Sequence, residues 1–201
     1  MSIAPTRTTD AQQTRLGGSV SPKAHDKRIR SQGTWQGSMR TKIRIRAFGF
    51  EVDEPEPVGG TDTAPTPMEY MVGAVNACLG VVVEQIAEEL QIGLEAIETY
   101  CLATQDTRGF AGTADVQPFF HSCRIAVHVQ TGEQDASRLD QLTTSVESRC
   151  PALTLIRAAG VVVDLRWHFA ELIDVDAPER ECNNADALSR GLDSRSRKVE
   201  Q

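Results

Sequence analysis

The sequence predicts an α+β fold, and three observations carry that expectation. Arg40, Lys42, Arg44 and Arg46 alternate strictly with Thr41, Ile43, Ile45 and Ala47, the period of a strand with one cationic face. A long apolar run from about residue 67 opens with helix-start signals. The elements then follow as strands, a central helix, two strands, paired helices and a last strand, a grouped order rather than βαβ alternation.

Taken in order, Met39 to Phe50 reads as the first strand, and Asp53 to Pro67 as a loop rich in Pro, Gly and acids. Thr66 suits the N-cap of the helix, Pro67 its first position, and Glu69 completes a Thr-x-x-Glu capping box. The helix should run to about Leu90 and be ended by Gly93. Its apolar residues wrap the whole circumference from Met71 to Val83, which predicts burial on all sides. The valines at 81–83 are poor helix formers that only burial would keep helical. Other elements must surround this helix, and a second subunit would do so economically. Leu94–Thr107 and Phe119–Thr131 read as an antiparallel pair joined by the loop Gly109–Pro118. Leu139, Leu142 and Val146 give one apolar face to a helix from Asp135 to Arg149. Pro151 forces a turn at Cys150; a short helix to Ala159 follows, then a strand from Val161 to Phe169.

Composition narrows the functional classes. The chain has 201 residues, 40% of them hydrophobic, and a net charge of −7, an unfavourable balance for a dedicated nucleic-acid binder. Residues 1–32 carry six Lys or Arg against two acids, and residues 171–201 five against eight. Both segments are too polar to offset their ordering entropy, so each is expected to be a largely disordered tail around a folded region at 33–170. The longest apolar stretch, Tyr70 to Val83, falls short of the roughly 18 residues of a membrane span, and residues 1–10 hold no secretory h-region. The expected setting is cytoplasmic, with reduced thiols and no membrane or nucleic-acid partner.

Five cysteines, at 78, 101, 123, 150 and 182, form no CxxC pair. His121, His128 and His168 lack ligand spacing to one another or to cysteine, so no metal or other cofactor is expected. Cys78 lies mid-helix among Met71, Ala74, Val75, Val81 and Val82, surroundings that raise a thiol's pKa, twelve residues beyond the N-cap. A reactive thiolate there needs an external cation, and Arg40, Arg44 and Arg46 are the candidates on physical grounds. Cys150 directly precedes Pro151 at a helix start, where N–H groups favour a thiolate. Physics alone makes Cys150 the more acidic thiol without deciding which cysteine attacks a substrate. Packing is the ordinary role of either cysteine. Glu69 as an acid/base partner of Cys78 is resisted by nine residues of helix, which place the two on opposite sides.

Asp53-Glu54-Pro55, Gly59-Gly60-Thr61-Asp62, and Pro65 to Met71 leading to Ala77-Cys78-Leu79 resemble the OsmC/Ohr family of thiol peroxidases. Arg149-Cys150-Pro151, followed by an apolar helix and a Val-rich strand, completes the pattern, which spans roughly 38–170. The resemblance implies an intertwined α+β homodimer, with antiparallel sheets around central cysteine-bearing helices. It further implies that Cys78 attacks a hydroperoxide and becomes a sulfenic acid, and that Cys150 resolves it as a disulfide. An external dithiol such as a lipoyl group then reopens the bond. Apolar lining by Met71 and Val75 would favour organic hydroperoxides. Met68 stands where the family's peroxidases carry a Glu, so this chain is closer to a branch with a Pro-x-Glu-Tyr helix start. That departure supports an alternative, a non-enzymatic redox sensor or small-ligand-binding dimer of the same fold. A purely structural dimer with inert cysteines is a third reading.

Overall fold

The computed structural model describes residues 25–170 and divides into two compact units between Ala64 and Pro65. The remainder of both expected tails lies outside the described residues.

The N-terminal unit is a three-stranded antiparallel meander, β1 (Gln32–Gly37), β2 (Arg40–Ile45) and β3 (Phe48–Val52). The single strand expected over Met39–Phe50 is therefore a hairpin. Ile45 pairs with Phe48, and Arg46 turns the chain with a left-handed φ of 56°. Neither Arg46 nor Ala47 belongs to the Gly/Asn/Asp set that marks such turns, which is why periodicity ran straight through it. Arg40, Lys42 and Arg44 keep their common alternation, whereas Arg46 leaves it and lays its guanidinium over the Phe48 ring, 5.0 Å from the centroid.

Beyond β3, a turn of 3₁₀ helix at Glu56–Val58 leads to Gly59 and Gly60. A Cβ on Gly60 would stand 1.7 Å from the Glu54 carbonyl oxygen, so only glycine fits there. The loop closes on Asp53, a buried carboxylate that accepts hydrogen bonds from the amides of Glu54, Thr61 and Thr63 and from both threonine hydroxyls. Burial pushes this carboxyl up, but the donors from Thr61, Thr63 and Glu54 outweigh it and hold it well below its ordinary value of 3.8. A depressed folded pKa contributes stability above the ordinary value and loses it as pH falls through the folded one. Asp53→Asn is accordingly expected to lower the melting temperature at pH 7, with the gap to the parent narrowing at pH 2. Thermal melts at the two pH values check this, and an equal gap at both would mean that the charge is not what the threonines hold.

The C-terminal unit contains α1 (Pro67–Glu89), β4 (Ala96–Gln105), α2 (Thr107–Ala111), β5 (Phe120–Gln130), α3 (Ala136–Arg149), α4 (Pro151–Ala158) and β6 (Val162–Ala170). The capping box is present: Glu69 N donates to Thr66 Oγ1 at 3.2 Å, and Thr66 N to Glu69 Oε2 at 2.7 Å. The helix is ended by Leu90 and a left-handed Gln91 rather than by Gly93. Arg138 stands in for the missing glycine cap by donating to the carbonyls of Leu90 and Gln91, 2.7 and 3.4 Å away.

The sheet order is β4-β5-β6, with β4 and β5 antiparallel but β5 and β6 parallel, so α3 and α4 form a crossover between neighbouring strands. The fold is thus a mixed α+β fold with two small sheets and one local crossover inside it. The core joins Leu79, Val83 and Ile86 of α1 to Ile125 and Val127 of β5, Leu142 and Val146 of α3, and Leu153 of α4. By length and composition alone α1 could cross a membrane, yet its buried residues belong to this core.

Among the described residues, the expected all-round burial of α1 does not occur. Val75, Leu79, Val82, Val83, Ile86 and Ala87 are buried, whereas Met71 is 49% and Val81 64% exposed, and Gly73, Ala74 and Ala77 also face outward. The sheet and the α3–α4 pair cover one side of a helix that is apolar on both.

Candidate functional site

Two thiols separated by 72 residues meet where α1 passes the α3–α4 corner. Cys150 ends α3 and begins α4, with the extended backbone (φ −70°, ψ 112°) that Pro151 requires of the residue before it. Its amide donates to Val146 at 2.9 Å, and its carbonyl accepts from the Thr154 amide and hydroxyl, so the corner is fixed on both sides. The Cys150 thiol points inward, fully buried, and donates to Cys78 Sγ at 3.6 Å. Cys78 is half-buried, and both thiols are free. A disulfide has its sulfurs about 2.05 Å apart, so bonding needs an approach of about 1.5 Å.

The helix start does not make Cys150 acidic. Burial pushes its thiol up and outweighs the opposing Leu153 and Ala152 amides at the start of α4. A helix of eight residues supplies little to counter complete desolvation.

The other candidates fall as follows. Glu69 is engaged by the Thr66 cap, and nine residues of helix put it about 13 Å along the axis from Cys78. Val75 is buried in the core one turn from Met71, which is exposed; Met68 packs against the core. Arg40, Arg44 and Arg46 belong to the N-terminal unit, where Arg40 pairs with Glu51 at 2.9 Å. Cys182 lies outside the described residues.

Two side-chain pairs escaped sequence reasoning because strand register creates them. Cys101 and Cys123 sit diagonally across β4 and β5, with Cys101 opposite Ile125 and Cys123 opposite Ala103, which makes the two thiols neighbours. Burial and the neighbouring sulfur push Cys101 up to about 12, so this pair is a poor nucleophile. His128 and His168, in register across the parallel strands, stack with centroids 4.5 Å apart. Burial and His168 lower the His128 pKa. Among the described residues, no group of three or more His, Cys, Asp or Glu is arranged to hold a metal ion.

A third omission is the ion pair between Arg149 and Glu89. The guanidinium grips both carboxylate oxygens, at 2.5 and 2.8 Å, and holds the Glu89 carboxyl down at about 2. Its signal was the eleven residues from Cys78 to Glu89, which return to the same helical face within about 20°.

A long helix bearing one thiol, met by a second thiol at a helix corner over a three-stranded sheet, defines an α+β domain with a core dithiol. The family model described as OsmC-like protein matches residues 60–166, and the chain belongs to that family. No curated protein matches it. Among solved structures it is similar to an OsmC-like protein from Mycoplasma pneumoniae, at 11% identity and a TM-score of 0.60, over 74% of this chain and 99% of that one. It is also similar to an organic hydroperoxide resistance protein OsmC from Legionella pneumophila (18% identity, TM-score 0.54, 73% and 99% covered). A third similar structure is an organic hydroperoxide resistance protein from Elizabethkingia anophelis with thiocyanate bound (15% identity, TM-score 0.54, 74% and 100% covered). At such identities the likeness is one of fold.

Proposed function

We propose that the protein is a two-cysteine reductase of organic hydroperoxides. The observation that carries this reading is the 3.6 Å contact between Cys78 and Cys150. The Cys78 thiolate attacks the O–O bond, takes one oxygen as a sulfenic acid and, with one proton, releases the alcohol. The Cys150 thiol then displaces that oxygen as water and leaves the Cys78–Cys150 disulfide. An external dithiol reduces the disulfide to two thiols and is itself oxidised. The partial exposure of Cys78 and full burial of Cys150 suit these roles, because attack needs access and resolution needs only proximity.

The working form in this proposal is a homodimer. The outward stripe of Gly73, Ala74, Ala77 and Val81 on α1 is apolar and small enough for a second α1 to approach closely.

Counting free thiols on the reduced protein, before and after one equivalent of an organic hydroperoxide, tests the reading. The expected result is a loss of two thiols in the parent and none in Cys78→Ser. No loss in either would reduce both cysteines to core packing.

One observation favours a second reading. Met68, at the position of the family Glu, packs against the core and brings no carboxylate. A redox sensor that oxidises once without turnover would need none. Steady-state consumption of hydroperoxide with a dithiol, well above background, excludes that reading.

A further inference from the structure

Cys150 stands opposite Cys78 only if the α3–α4 corner sits at one height along α1. Two contacts help make the corner a single body: Glu147 of α3 accepts from Arg157 of α4 at 2.8 Å and from the Trp167 indole of β6 at 3.2 Å. The body is then pinned to α1 through the residue next to the resolving thiol. Arg149 forks onto Glu89, whose Oε1 also accepts from Gln85 one turn back on the same helix, at 3.2 Å. Cys78 and Glu89 share one face of α1, about 16 Å apart along the axis. The corner is therefore gripped at two points of one face: thiol against thiol at one end, guanidinium against carboxylate at the other. A bidentate Arg–carboxylate fork fixes direction as well as distance, which a single point charge does not.

We infer that the Arg149–Glu89 fork is a positioning clamp that sets Cys150 at the height of Cys78 and so governs how fast a sulfenic acid on Cys78 is captured. The inference rests on the peroxidase reading above and deepens it. Neither residue touches the hydroperoxide. The clamp acts on the second step, in which Cys150 Sγ bonds to Cys78 Sγ and the sulfenic oxygen leaves as water, and not on the first. When capture slows, a second hydroperoxide oxidises the waiting sulfenic acid to a sulfinic acid.

The test uses full-length reduced protein mixed rapidly with cumene hydroperoxide and quenched over time, with mass spectrometry separating sulfenic, disulfide and sulfinic forms of Cys78. Glu89→Gln and Arg149→Lys are expected to oxidise Cys78 at the parent's rate within about twofold, but to close the disulfide about tenfold more slowly, the first because the carboxylate charge is lost and the second because a point charge replaces the fork. More sulfinic acid should accumulate in both. The reciprocal exchange, Glu89→Arg with Arg149→Glu, should recover much of the closure rate, which a merely structural loss would not. The pair is about half exposed, so 1 M salt should slow closure in the parent and leave Glu89→Gln unmoved. Closure at the parent's rate in Glu89→Gln and Arg149→Lys would overturn the clamp while leaving the peroxidase reading standing. Absence of any disulfide in the parent would overturn both.

Discussion

Cys78→Ser is expected to abolish dithiol-driven consumption of organic hydroperoxide, with a fall in kcat/KM of at least about 10³-fold. A serine hydroxyl does not ionise near neutral pH, and an alcohol has no sulfur lone pair to take up the peroxide oxygen. Cys150→Ser should behave differently. It consumes about one equivalent in a burst and then stalls, because the sulfenic acid on Cys78 has lost the thiol 3.6 Å away that would capture it. Stopped-flow consumption assays on the two variants distinguish these outcomes. Undiminished turnover in Cys78→Ser would place the chemistry elsewhere, and undiminished turnover in Cys150→Ser would make an external thiol the resolving agent.

The second large effect concerns α1. Ala77→Glu puts a carboxylate in the middle of the outward apolar stripe, and in a two-fold dimer it does so twice at one contact. Burying an unpaired charge costs about 3–5 kcal/mol, which corresponds to roughly 10²- to 10⁴-fold in the dimer dissociation constant. Analytical ultracentrifugation should find the parent dimeric and the variant monomeric at the same micromolar concentration. A monomeric parent, or a variant as dimeric as the parent, would retire the second copy as the cover for this face.

Features written in local chemistry were legible in advance. The Thr66–Glu69 box, Asp135 at the start of α3 and Pro151 at the start of α4 each act within one helical turn, and each stands where its residue type requires. Features that depend on what lies opposite were not. Arg46 turns the chain without a turn residue, and the parallel register of β5 with β6 is set across a crossover of some thirty residues, which no periodicity encodes. The stacking of His128 on His168 follows from that register alone. The acidity expected of Cys150 failed for a related reason. The helix start is visible in the sequence, but the depth at which the packed corner buries the thiol is not. The encounter of Cys78 with Cys150 came only through the family pattern, since nothing in either segment names the other.

The position of the two thiols in the chain has a mechanical consequence. A bond between residues 78 and 150 would tie off a loop of about 73 residues, which includes β4, β5 and all of α3. The polymer-entropy model gives such a ring about 4 kcal/mol of stabilisation by depriving the unfolded chain of freedom. Each turn of the proposed cycle would therefore raise the free energy of unfolding while the disulfide stands and lower it again once the dithiol reopens it. A reductant acting on the folded protein would meet only the bond itself, because the ring's entropic effect is felt in the unfolded chain.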